Sequence, residues 1–135
     1  MSSLQREEFR VAGLPQPVSH YTDVVRSGDL AFISGMIAIG ADGHVIGEGD
    51  VTKQAEVVHD YLALALVAVG SSFADILKVT VFLTNIEDRH AVNQVRQRYF
   101  GRSRPASTLV QITALVVPEA VVEIEAVASI PHRFN

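Results

Sequence analysis

Glu123 and Glu125 are the groups in this chain best placed to move a proton. They belong to Val122-Glu123-Ile124-Glu125-Ala126, whose alternation puts both carboxylates on one face of a strand and the aliphatic residues on the other. A carboxylate there can polarise a water molecule. It can equally join an ion-pair network or meet a cation at an interface. Tyr21 offers a hydroxyl donor, and His20 beside it is a candidate general acid–base. If both lie on a strand they point to opposite faces, so one of them at most faces a common pocket. The pair Ser34-Gly35 marks a close approach to the backbone, by a ligand or by a packed neighbour. Asn93 reads as a polar residue of a helix, free at the surface or holding a backbone group.

Other chemistries find less support. His20, His44, His59, His90 and His132 are scattered, with no paired spacing on one helix face, so no metal site is expected. With no cysteine, the chain has no thiol nucleophile, disulfide or cysteine-bound metal. It contains no phosphate-cradling glycine loop, no Gly-x-Ser-x-Gly elbow and no dinucleotide fingerprint.

These residues need a frame. Tyr21 to Val25 reads as a short strand, and Arg26-Ser27-Gly28-Asp29 supplies a turn into the apolar strand Leu30 to Ile37. Asp42-Gly43 signals a hairpin leading into a strand at His44-Val45-Ile46. A helix is predicted from Thr52 to Val69, capped by Asp50 or Thr52 and ended by Gly70, with Ala55, Val58, Leu62, Ala65, Leu66 and Val69 on its inner stripe. A strand over Ile76 to Leu83 and a helix over Asp88 to Phe100 follow. Strands at Ser107 to Ala114 and Ala120 to Ile130 complete the order β-β-β-α-β-α-β-β. This is an α+β domain, a mixed sheet with both helices on one face. The other face, carrying Glu123 and Glu125 among aliphatics, needs a cover. Further copies of the chain supply it economically, and a monomer is the simple alternative.

At 135 residues the chain makes one domain, 1-135, able to bury roughly two-thirds of its unfolded surface. With 48% hydrophobic and 19% charged residues it has material for a packed core. The net charge of -4 and the lack of a basic stripe argue against a nucleic-acid partner. No apolar run approaches the ~20 residues that span a bilayer. The segment Met1 to Glu8 lacks a secretory pattern, so the expectation is a soluble, cytoplasmic protein with no membrane partner.

Pro105-Ala106-Ser107-Thr108-Leu109-Val110-Gln111, followed by the Val122 to Ala126 run, resembles the C-terminal signature of the Rid family, the reactive intermediate deaminases or YjgF-like proteins. The resemblance runs from about Gly13 to Ile130. It includes Ser19-His20-Tyr21-Thr22-Asp23-Val24-Val25, Phe32-Ile33-Ser34-Gly35-Met36, Gln54, Gly70, Lys78 to Leu83 and Val92-Asn93. It implies a chorismate-mutase-like homotrimer with a cleft at each subunit boundary, working without metal or organic cofactor. It implies hydrolysis of a small enamine or imine to a carbonyl product and ammonia. By the same resemblance Glu123 positions the attacking water, and Tyr21, Ser34 and Asn93 line or support the pocket, with Gly35 beside them.

The sequence departs from that pattern at several places. Ser107 stands where the family has an arginine that grips the substrate carboxylate, and a hydroxyl cannot copy the guanidinium fork. Arg104, Arg102 and an arginine of a neighbouring subunit are candidates to take its place, although Arg104 stands before a proline that restricts its backbone. His20 stands at a usual proline, placing a titratable group beside the cleft, and Asp23 at a glutamine-like position. Met36 replaces a glutamine, which makes the cleft more apolar. Ser107, His20 and Met36 therefore join the substrate-binding candidates. The alternative to a hydrolase is a trimer that binds a small metabolite in the same cleft without turnover. RNA cleavage, attached to some relatives, comes last because of the acidic net charge.

Overall fold

The computed structural model describes residues 5–131. His132 and the first four residues of the segment read for a secretory pattern lie outside them. The core is a six-stranded sheet made by β1 (Arg6–Phe9), β2 (Val24–Ser27), β3 (Leu30–Met36), β4 (Ile76–Leu83), β5 (Ala106–Gln111) and β6 (Val122–Ser129). Their spatial order is β1-β2-β3-β6-β4-β5. Only β4 and β5 run parallel. Parallel neighbours need a long crossover, and α2 (Arg89–Phe100) provides it. The other helix, α1 (Val51–Ala68), links β3 to β4.

α1 starts where Asp50 accepts a hydrogen bond from the Lys53 backbone N–H. It ends just before Gly70, whose φ of 76° is left-handed backbone that suits glycine. Ala55, Val58, Leu62, Ala65 and Leu66 of α1 and Val92, Val95 and Phe100 of α2 are buried in one cluster with Val79, Val81, Ile124 and Ala126. Both helices thus cover the same sheet face. The other face presents Leu30, Phe32 and Val110 to solvent, with Phe32 46% exposed.

The string of element types matches the expected one, but only because β1, an unexpected strand, stands in for a hairpin strand that does not form. β1, with the sequence Arg-Glu-Glu-Phe, lacks apolar alternation because it is an exposed edge strand. The strand expected at His44-Val45-Ile46 is only a single bridge between Ile39 and Val45, although the Asp42-Gly43 turn does form. The strand expected from Tyr21 begins at Val24. The one expected from Ser107 to Ala114 stops at Gln111.

Candidate functional site

Glu123 is the second residue of β6, opposite Phe82, with its side chain on the face that the helices leave open. Its carboxylate has no hydrogen bond or ion pair with any described residue. Burial, and then the charge of Glu125, push its pKa above the ordinary 4.5. The space for this carboxylate comes from β3. Between Ile33 and Met36 that strand carries one extra residue relative to β6, a bulge containing Ser34 and Gly35. A Cβ built on Gly35 would stand 2.8 Å from both Cδ and Oε2 of Glu123. The close approach expected at Ser34-Gly35 is therefore that of Glu123, made possible by the missing side chain.

Ser34 fastens the neighbouring segment. Its hydroxyl donates to the Thr22 carbonyl at 2.6 Å, and its N–H to the Asp23 carbonyl at 3.0 Å. This brings Tyr21, 45% exposed, to an open cavity of about 390 Å3 shared with Ser34, Gly35, Glu123 and Glu125. The Tyr21 oxygen accepts from the Val18 N–H at 3.3 Å. Asp23 is committed elsewhere: buried, it pairs with Arg10 and accepts from the Val11 N–H at 2.8 Å. Because Tyr21 precedes β2, the odd–even rule does not govern it. His20 and Tyr21 both line a second cavity, of about 490 Å3, with Arg6, Glu8 and Arg10, away from Glu123. Met36, 6% exposed, turns into the core opposite Ile124 rather than toward Glu123.

Gln54, fully buried at the start of α1, holds the chain entering β6. Its amide donates to the Gly47 and Glu119 carbonyls at 3.1 and 3.2 Å, and its oxygen accepts from the Val121 N–H at 2.9 Å. All three partners are backbone groups, and Val121 is two residues from Glu123. Gln54 therefore fixes where the carboxylate starts.

Asn93 and Ser107 stand on the other side of the sheet. Ser107 pairs with Val79, a core-facing residue, so its hydroxyl points toward α2. There Arg96 Nη2 donates to Ser107 Oγ at 3.2 Å, and Arg96 Nη1 to Asn93 Oδ1 at 3.4 Å. The guanidinium is half-buried, and desolvation lowers its pKa. Asn93 and Arg96 line an open cavity of about 570 Å3, with Gln97, Ser103 and Arg104 among its walls. Arg102, exposed, is not among them. Arg96 escaped the sequence reading because a lone arginine on a helix is usually a solvated one. The available signal was its spacing, three residues after Asn93.

One chain thus holds two separate clusters: an acidic one with Glu123, Tyr21, Ser34 and Gly35, and a basic one with Arg96, Asn93 and Ser107. The family model described as Endoribonuclease L-PSP matches residues 12–130. The chain belongs to that family, the Rid or YjgF-like proteins. Among Rid relatives, the 3-aminoacrylate deaminase RutC of Acinetobacter baylyi is 31% identical over 127 residues, covering 94% of this chain and 100% of its own. The 2-iminobutanoate/2-iminopropanoate deaminase of Homo sapiens is 32% identical over 128 residues, covering 95% and 93%. Of solved structures, a Rid-family protein of unknown function from Yersinia pestis, YyfA, superposes with a TM-score of 0.86 at 28% identity, covering 93% and 99%. These Rid relatives place the chain in an imine and enamine deaminase family. Among the described residues no helix is long and apolar enough to cross a membrane.

Proposed function

We propose that this protein hydrolyses a reactive enamine or imine to a carbonyl product and ammonia, in clefts where one copy's acidic half-site meets a neighbour's basic half-site in a homotrimer. The observation that carries the reading is Glu123, a desolvated carboxylate with no cation among the described residues, set over a glycine that leaves it room. The separation of the two half-sites within a chain, and the apolar residues exposed on the open face, support an assembly that joins them.

The reaction needs one water. Glu123 takes a proton from it as its oxygen bonds to the imine carbon, while the nitrogen, protonated, receives the carbon–nitrogen π electrons. Glu123 then returns the proton to the amino nitrogen of the carbinolamine. Ammonia leaves as the carbonyl forms, and the hydroxyl proton goes back to the carboxylate or to solvent. An enamine first takes a proton on carbon. The raised pKa of Glu123 makes it a better base than an ordinary glutamate. The Tyr21 hydroxyl is placed to orient the water or the nitrogen. His20 is a candidate to tune the rim, with its own cavity beside Tyr21.

The test follows keto product and ammonia from 2-aminoacrylate, with Glu123→Gln alongside. The reading requires turnover above buffer that falls by about 10²–10⁴ in the variant, and equal rates for parent, variant and buffer would remove it. RNA cleavage fits less well, because two carboxylates and no cation line the cavity at Glu123. Binding without turnover is the second reading, favoured by the separation of the basic cavity from Glu123. There a metabolite that raises the melting temperature would be recovered unchanged. A cytoplasmic setting agrees with either.

A further inference from the structure

We infer that Arg96, held by Ser107 and Asn93 on α2, is the cation that anchors a carboxylate of the ligand. Resting on the deaminase reading for its reaction, this gives the anchoring role to a helix residue instead of the strand position 107.

Charge accounting and position together point to Arg96: Arg26 donates to the Gly28 carbonyl, and Arg102 is exposed and does not line the cavity beside α2. Arg6, Arg10, Arg89 and Arg98 each pair with a carboxylate of the chain, Glu8, Asp23, Glu87 and Glu56 respectively. Arg96 touches no acidic group among the described residues. Its two hydrogen-bond partners are neutral oxygens, at 3.2 and 3.4 Å. A guanidinium carries five N–H donors, so these contacts orient it and leave donors unused. It is also half-buried, and a desolvated cation without a counter-ion gains most from an incoming anion. The cavity it lines has no acidic wall, and Arg104 adds a second positive group. In a chain of net charge -4, that concentration of positive potential is local and specific.

The geometry also explains why position 107 is small. Ser107 Oγ lies against the guanidinium, so the strand residue acts as a prop for a cation delivered from the helix. Arg96 is in this sense the binding residue, and Ser107 and Asn93 are positioning residues.

The experiment uses the full chain and titration calorimetry. The probes are 2-oxobutanoate, a keto acid, and 2-oxobutanamide, its neutral analogue. Arg96→Gln is expected to weaken 2-oxobutanoate by about tenfold or more, the loss of charge-assisted hydrogen bonds, and to leave the amide unchanged. Arg96→Lys, retaining charge without the fork, falls between, and serves if the glutamine variant does not fold. In turnover the KM for 2-aminoacrylate rises while kcat changes less. Unchanged keto-acid affinity, equal losses for acid and amide, or no keto-acid binding by the parent overturns the inference. The two readings fail separately. Arg96-dependent keto-acid binding without turnover removes the hydrolase and keeps the anchor, whereas turnover indifferent to Arg96 removes the anchor and keeps the hydrolase.

Discussion

Gly35 and Glu123 occupy one another's space: the hydrogen on the glycine is all that separates its backbone from the carboxylate. A methyl group there would lie 2.8 Å from the carboxyl carbon. The atoms it meets belong to the outer end of a side chain, so the glutamate swings aside and the strand pairing stays. Gly35→Ala is therefore expected to lower kcat by about 10², the penalty for a catalytic group displaced by around an ångström. Its thermal melt should stay close to the parent's. Activity and melting measured on one preparation check this, and a fully active alanine variant would show that Glu123 need not stand where it does.

The pH dependence of kcat/KM follows from the neighbour two residues on. Glu123 must be ionised to accept a proton, and burial followed by Glu125 raises its pKa above 4.5. Activity should therefore rise with pH through a midpoint above the ordinary glutamate value. Glu125→Gln removes the repulsion, makes ionisation easier and moves that midpoint to lower pH. A rate profile measured for parent and variant decides it, and an unmoved or raised midpoint contradicts the assignment of the limb to Glu123.

His59 links stability to pH. It is fully buried, its Nδ1–H donates to the Ala55 carbonyl at 2.7 Å, and its ring stacks on Tyr99 at 4.9 Å. Nε2 has no partner. Desolvation lowers its pKa from 6.5 to about 4, so the unfolded chain binds the proton more readily. The stabilisation is complete above the ordinary histidine pKa and drains as pH falls toward the depressed one. Between about pH 7.5 and about pH 4.5 this amounts to roughly 2–3 kcal/mol. Urea unfolding at the two pH values should show that loss, and His59→Phe, which keeps the stack, should shrink it by a similar amount.

Ser107→Arg separates two views of that position. If the chain lacked an anchoring cation, an added arginine would improve turnover. With Arg96 already against Ser107 Oγ, the new guanidinium meets one of like charge in a part-desolvated place. We expect a raised KM for 2-aminoacrylate, about three- to tenfold, rather than a lowered one. Steady-state kinetics on the variant is the check.

What could be read in advance depended on whether the signal was local. α1, α2, β4 and β6 carry their own periodicity, so apolar spacing alone found them. β1 escaped because an exposed edge strand made of Arg, Glu, Glu and Phe has no apolar alternation to read. His44 to Ile46 misled because a good turn need not be flanked by a paired ladder. Glu123 and Gly35 were each legible as residues, but their meeting was not. It depends on a bulge that shifts register between strands far apart in the chain. Arg96 was hidden for the same reason: only the pairing of β5 with β4 shows that Ser107 faces α2.

The crossover that makes β5 parallel to β4 has one more implication. Asn93, Arg96 and Ser107 all belong to consecutive chain, α2 and the strand it delivers, joined by the short Gly101 to Pro105 connection. Glu123 arrives on another strand, secured by a glutamine from the opposite helix. On the proposed reading, grip and chemistry are carried on separate cassettes. That reading implies that exchange of a few side chains between Arg89 and Gln111 re-addresses the protein to a differently shaped acid and leaves the segment around Glu123 intact.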